Sequence, residues 1–367
     1  MGHEVTVLTG SSFREEIYAG NPENIDFQFI DYPDSRLSRF SAGLGVYDTY
    51  QRWQDAALRH VQARGQRYDV AHHVTWGGLH LGSQLWKLPV PFVYGPAGGG
   101  QTAPANYWRY FGRQWPVELV RTASTGPLLN LYGRCRDTVR NAAVTLVNNA
   151  DTAAVCRRLG ARDVRYMLAD GLAPSWIGTA HTQPEGIPVV LYIGRLIARK
   201  APALAVEAFA ELRRKMPARM LIVGDGPLRG QVRSTIERLG VSDDVEMRGH
   251  IPFGDVKSVY DSASVLLFPS LRESFGAPFI EALGRGLPAV ALDHQGIHDA
   301  DVGEAAVKVP VPADPRELPG RLATAMQTVL TDGEWQSRSA AGIKWASDWI
   351  WPVKAAAAVE IYAEIVR

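Results

Sequence analysis

Two carboxylates, Glu273 and Glu281, bracket a glycine and a proline in the stretch RESFGAPFIEALGRGLP (272–288). Directly before it runs the apolar SVLLFPS (264–270). A strand that feeds a loop, with Pro278 in the first turn of a helix, accounts for this order. Gly276 lets the backbone come close to a ligand. The helix start then offers free N–H groups and the positive end of its dipole to an anion such as phosphate. The two carboxylates reach opposite sides of whatever sits there; a solvated Glu273 and a dipole-favoured Glu281 are the alternative. A second pair, Arg195 and Lys200 in GRLIARK (194–200), follows another apolar run. A guanidinium fork and an ammonium point charge in one post-strand loop suit a diphosphate.

Both pairs need strands behind them. IPVVLYIG (187–194), RMLIVGDGP (219–227), VEMRGH (245–250), SVLLFPS and PAVAL (288–292) read as buried strands. Helical spacing covers 201–217, 228–240, 254–262 and the segment from Pro278. Such alternation predicts a parallel sheet with helices on both faces. The N-terminal half repeats the style in HEVTVLTG, IDFQFID, YDVAHHV, VPFVYG and AVTLVNN, with helices near 48–64, 78–87 and 150–159. The fold class is therefore α/β, two Rossmann-like doubly wound domains facing a cleft. The expected domains are 1–172 and 173–348, with a C-terminal helix, 349–367, that starts at Pro352 and returns to the first domain. Ligands of such sheets bind beyond the carboxyl ends of the strands, which places the site in the cleft.

Composition narrows the setting. The chain is 46% apolar and 21% charged, with a net charge of +1, so no global basic field points to nucleic acid. Its two cysteines, Cys135 and Cys156, fit a reduced cytoplasmic environment. No apolar run is long enough to span a bilayer, and MGHEVTVLTG does not read as a signal peptide. Residues 105–140 interleave six arginines (109, 113, 121, 134, 136 and 140) with Tyr107, Trp108, Tyr110, Phe111 and Trp115, against Glu118 and Asp137. That mixture suits a peripheral contact with an anionic membrane face; an amphipathic helix pair with core aromatics is the alternative.

GRLIARK, LIVGDGP, RGHIP and FPSLRESFGAPFIEALGRGLPAVA stand in the order and spacing of glycosyltransferase family 4, which the chain resembles over about 187–310 and more loosely over 66–175. The resemblance implies the GT-B fold and a retaining, metal-independent transfer of a sugar from a nucleoside-diphosphate sugar to a glycan, lipid-linked or small-molecule acceptor. It implies no cofactor, the nucleotide sugar being a substrate. Carried over, Arg195 and Lys200 hold the donor diphosphate, Glu281 takes the ribose hydroxyls and Glu273 contacts the donor sugar. The backbone of Phe275, Gly276 and Ala277 packs on sugar and phosphate, and Gly224 and Asp225 shape the pocket. Catalytic weight falls on Glu273, Arg195, Lys200 and His73. On the acceptor side stand His72 and His73, one of them expected to point into the cleft, with a packed or solvated histidine pair as the alternative, and Gly98 and Gly99 of GPAGGGQT offering backbone N–H groups. Ala201 departs from the family's glycine after the lysine; a helix beginning there is expected to tolerate it.

Three other motifs were weighed against these. GDGPLRG (224–230) mimics a dinucleotide fingerprint, but the next strand ends in Gly249-His250 and not in an acidic residue. GPAGGGQT (95–102) has Gln101 where a P-loop needs lysine. Asp299 and Asp301 resemble a metal-binding acidic pair, yet follow the wrong strand, so no metal is expected. A family member also begins with a strand, glycine loop and helix ahead of GHEV, a unit of about 30 to 45 residues, and such a segment is expected upstream of Met1. Rival readings are a nucleotide-sugar epimerase and a weakly catalytic nucleotide-sugar-binding subunit.

Overall fold

The computed structural model describes residues 2–20, 24–31, 42–74, 76–125, 129 and 133–367. The N-terminal half runs β1 (Val5–Thr9), α1 (Arg14–Ala19), β2 (Ile25–Phe29), α2 (Ala42–Arg64), β3 (Ala71–His73), β4 (Phe92–Ala97), α3 (Trp108–Phe111), α4 (Trp115–Thr125), α5 (Gly133–Asn141), β5 (Val144–Val147), α6 (Ala150–Leu159) and β6 (Val164–Tyr166). The C-terminal half runs β7 (Val189–Ile193), α7 (Pro202–Arg213), β8 (Arg219–Val223), α8 (Arg229–Leu239), β9 (Val245–Gly249), α9 (Phe253–Ser262), β10 (Val265–Phe268) and α10 (Ala277–Gly284). It continues through β11 (Ala289–Leu292), α11 (Gln295–Asp299), β12 (Ala306–Val309), α12 (Leu318–Thr331), α13 (Trp335–Ser347) and α14 (Trp351–Val366).

Strands β7 to β12 form one parallel sheet in the order β12-β11-β10-β7-β8-β9. β10 and β11 are buried along their whole length, as unbroken apolar strands are when helices cover both faces. Leu204, Val206 and Phe209 of α7 and Leu322 and Met326 of α12 fill the same core. The N-terminal strands form two parallel sheets, β1-β2 and β3-β4-β5-β6, and among the described residues no ladder joins them. Leu79, Phe92, Tyr94, Val147 and Cys156 cluster in one core. Val93, Val144, Leu146 and Met167 form another, closed by Ile361 of α14. The last helix thus packs on the first domain, and Arg165 pairs with its Glu364 at 2.6 Å. Where the chain crosses between domains, the Leu172 N–H donates to Trp349 O (3.1 Å) and the Trp351 N–H to Leu172 O (2.9 Å).

The alternation, both halves and the returning helix match expectation. The segment 78–87 differs: it makes two 3₁₀ turns, Leu79–Leu81 and Leu85–Lys87, split at Gly82, whose φ of +58° no α-helix accommodates. β6, β12 and α11 to α13 were not anticipated.

Candidate active site

The loops after β7, β8, β10 and β11 meet at the carboxyl edge of the six-stranded sheet. Lys200 ends a 3₁₀ turn ahead of α7. Its ammonium pairs with Glu273 Oε2, while Arg199 stands 3.7 Å from Oε1. Lys200 Nζ also lies 5.3 Å over the Phe268 ring. The lysine and the glutamate therefore touch each other, and Glu273 is buried. Arg195 stays exposed nearby. The Leu196 N–H donates to Asp225 O (3.0 Å) and the Gly224 N–H to Gly249 O (2.8 Å), tying the three loops after β7, β8 and β9 together. Asp225 Oδ1 is occupied by the Gly226 N–H at 2.7 Å. Ala201 takes φ +48°, just ahead of α7. The helix does not start at Ala201, as expected, but at Pro202; the preceding residue sits in the left-handed region that glycine fills without strain.

Glu281 lies in the second turn of α10, and its Oε2 accepts the Tyr260 hydroxyl at 2.7 Å. Burial raises its pKa, the Tyr260 bond lowers it, and Asp170 raises it again. Gly276 has φ +108°, and a Cβ there would stand 2.5 Å from Phe268 Cζ. Phe275 is buried and stacks on Trp345 at 5.8 Å. What 275–277 offers the cleft is backbone: the Gly276 and Ala277 N–H groups have no protein acceptor among the described residues, as the open start of a helix requires.

On the acceptor side the histidines and the glycine loop are engaged within the protein. His72 turns away from the cleft, its Nδ1 bonded to the Tyr362 hydroxyl of α14 and its Nε2 to Gly95 O at 2.7 Å. Burial lowers its pKa, and the bond to Gly95 O opposes the shift. His73 is buried, bonded through Nε2 to the Tyr50 hydroxyl (3.0 Å) and through Nδ1 to Ser83 Oγ (2.9 Å). Both nitrogens are engaged in packing the domain. The glycine loop spends its donors internally as well: Gly98 N–H on Gly77 O, Gly99 N–H on Gln101 Oε1 (3.0 Å) and Gly100 N–H on Thr152 Oγ1 (3.1 Å). An aromatic side chain stands exposed beside Tyr50. Trp76, just past β3, is 45% exposed, has φ +49° and stacks on Tyr50 at 4.9 Å. A non-glycine residue in that conformation was the signal, and it is invisible in sequence.

Residues 105–125 act mainly as a strap onto the second domain; residues 126–128 and 130–132 of the basic stretch lie outside the described residues. Tyr107, Tyr110 and Phe111 belong to the C-terminal core. The Tyr107 hydroxyl donates to Pro312 O (2.9 Å) and the Tyr110 hydroxyl to Glu207 (2.7 Å). Arg109, Arg121, Arg134 and Arg136 have acidic partners, and Arg140 bonds Leu159 O. The exposed remainder is Trp108, Val117, Leu119, Val120 and Arg113.

Across the cleft, Ser274 is the meeting point. Gln101 Nε2 donates to its Oγ and Asn149 Nδ2 to its carbonyl, both at 2.9 Å. Arg272 donates to Gln101 O (3.1 Å) and pairs with the buried Glu118 at 3.3 Å. Asp299 accepts the Ala150 N–H at the start of α6 at 2.6 Å. The linker residue Asp170 shares the field of Glu273: burial raises its pKa most, Glu273 adds to this, and Lys354 and Lys200 oppose it. Nothing in sequence spacing brings Arg199, Arg272, Ser274 or Asp170 to this cleft.

A family model described as "Glycosyl transferases group 1" matches residues 179–338, the part that carries the paired charges. The 2-deoxystreptamine glucosyltransferase of Streptomyces kanamyceticus is 32% identical over 344 residues, covering 89% of this chain and 85% of the relative. The D-inositol 3-phosphate glycosyltransferase of Kineococcus radiotolerans is 25% identical over 345 residues, covering 85% of this chain and 75% of the relative. The solved sucrose-phosphate synthase of Thermosynechococcus elongatus superposes with a TM-score of 0.69 at 20% identity, covering 99% of this chain and 89% of that one. With a catalytic-type cleft between two Rossmann-like domains and kinship along nearly its whole length, the chain belongs to the group 1 glycosyl transferases.

Proposed function

We propose that the chain is a retaining family 4 enzyme that moves a hexose from a nucleoside-diphosphate sugar to a polyhydroxylated six-membered ring, a sugar or a cyclitol. The observation that carries this is the frame around the start of α10. Lys200 and Glu273 stand on one side, Glu281 with one oxygen on Tyr260 stands on the other, and unbonded N–H groups lie between. The diphosphate sits against that helix start, where Lys200 and Arg195 neutralise the leaving charge without a metal. Glu281 uses its remaining oxygen for the ribose, and Glu273 is drawn from Lys200 toward the donor sugar as the diphosphate takes over the ammonium. The acceptor attacks from the face the leaving group departs from, and the departing phosphate helps take its proton.

The acceptor class rests on two supports. The relatives named above act on 2-deoxystreptamine and on D-inositol 3-phosphate, both ring polyols. Trp76 presents an exposed indole at the carboxyl end of β3, the kind of surface on which the C–H face of such a ring lies. The reading includes domains at 1–172 and 173–348 and a cytoplasmic setting. Any peripheral membrane contact would rest on Trp108, Val117, Leu119, Val120 and Arg113.

Incubation with a panel of nucleoside-diphosphate sugars and ring acceptors, read by mass spectrometry and anomeric NMR, tests it. Released nucleoside diphosphate with a product of retained configuration, in chelator, is the expected result. Epimerised donor without acceptor would overturn it, as would calorimetry showing that no donor binds.

A further inference from the structure

The turn between β11 and α11 is fastened to the loop that carries Glu273 more tightly than a connection requires. His294 Nε2 donates to Ser270 O at 2.8 Å. The Glu273 N–H donates to Gln295 Oε1 at 2.7 Å. Gly296 lies so close to Ser274 that a Cβ would come within 1.8 Å of its carbonyl oxygen. Three consecutive residues thus hold 270–274 in place. The other arm of the Gln295 amide reaches the opposite domain, its Nε2 donating to Thr102 O at 2.7 Å.

Gln295 does this at φ +55°. That left-handed conformation is costly for a residue with a Cβ and free for glycine. Glycine would satisfy the backbone but could make neither side-chain bond. A carboxylate could accept from Glu273 but would face the Thr102 carbonyl with a like partial charge; an amide offers an acceptor and a donor on one fork. At its far end the same short helix receives the Ala150 N–H on Asp299. α11 therefore touches the N-terminal domain at both ends and the Glu273 loop at one.

We propose that Gln295 is a positioning residue that couples cleft closure to the placement of Glu273. With the loop after β4 docked, the amide is fixed at both arms and the Glu273 backbone is restrained. When the domains separate, the Thr102 arm lets go and that restraint weakens, so Glu273 is set for the donor sugar only in the closed molecule. This rests on the reading of Glu273 as the sugar contact.

The full chain carrying Gln295→Gly or Gln295→Glu decides it. Glycine suits the backbone, so the melting temperature of Gln295→Gly is expected at or above the wild-type value. Hydrogen exchange of the Arg272 and Glu273 amides should speed up by roughly tenfold in this variant without any ligand. Transfer should show kcat lower by about tenfold with donor affinity within about twofold. Gln295→Glu keeps an acceptor for the Glu273 N–H but loses the Thr102 arm, so its exchange should speed up less than in Gln295→Gly while kcat still falls. Unchanged exchange and kcat in Gln295→Gly overturn the proposal; wild-type kcat in Gln295→Glu overturns the coupling to Thr102. Were the wild type to transfer no sugar at all, the functional reading would fail while the exchange measurement still decided whether Gln295 restrains Glu273.

Discussion

The two domains use parallel strands alike and differ in what their loops have left to offer. In the C-terminal domain one continuous sheet brings four loops to a common edge. The charged side chains there pair in a tight Lys200–Glu273 contact beside a helix start whose backbone donors are open. In the N-terminal domain the strands lie in two sheets, and the polar groups after β3 and β4 are already spent. His73 is bonded at both nitrogens, His72 lies under α14, and the Gly98–Gly100 N–H groups have internal acceptors. A residue type in a post-strand loop is thus a poor guide to function unless packing leaves it unused. What stays exposed on that side is an aromatic surface at Trp76.

Replacing Lys200 should hurt most. Lys200→Ala strands Glu273 and removes charge from the leaving group, and a 10²- to 10³-fold fall in kcat is expected, on the order of one lost transition-state donor; steady-state kinetics reads it. His73→Ala tests the other side. Loss of two buried hydrogen bonds should cost about 2 kcal/mol in denaturant unfolding, with kcat of the folded enzyme nearly intact. A large kcat loss at unchanged stability would break the contrast between the domains. On the proposed ribose contact, Glu281→Gln should weaken donor binding about tenfold, or about 1.4 kcal/mol, in calorimetry, because a charged acceptor is lost.

A subtler test lies at the crossing between domains. Lys354 donates to Ala169 O (3.2 Å) and Asp170 O (2.7 Å), and burial pulls its pKa from 10.5 down to about 8. Between those values the unfolded chain holds more protons at this site than the folded one. Its contribution to stability therefore rises with pH from about 8 to 10.5 and is flat below. Buried Cys135 and Cys156, pushed up to about 12, act in the opposite sense as pH rises above their unfolded pKa. The difference between wild type and Lys354→Met isolates the lysine, and parallel stability curves for the two would refute the shift. The smallest effect belongs to Ala201→Gly, where relief of the left-handed backbone should outweigh a lost methyl by roughly 0.5 kcal/mol in thermal unfolding.

Most of the C-terminal domain was legible because its strands are short apolar runs ending in glycine and its helices have clear periodicity. The donor loop was legible for a local reason: Gly276, Pro278 and Glu281 belong to one helix start. Pairing across distance was not. Lys200 meets Glu273, Tyr50 meets His73 and Gln101 meets Ser274 only because the fold brings them there. The basic aromatic stretch misled for a related reason, since Tyr107, Tyr110 and Phe111 are apolar partners for a domain other than their own. The helix expected over 78–87 failed at Gly82, whose backbone conformation its neighbours do not announce.

The return of α14 has a consequence for how the protein is made. Val93, Val144, Leu146 and Met167 complete their core only with Ile361. The first domain to leave the ribosome is therefore the last to be finished. It must wait, with one sheet face open, until the whole second domain has been synthesised and the final helix has emerged.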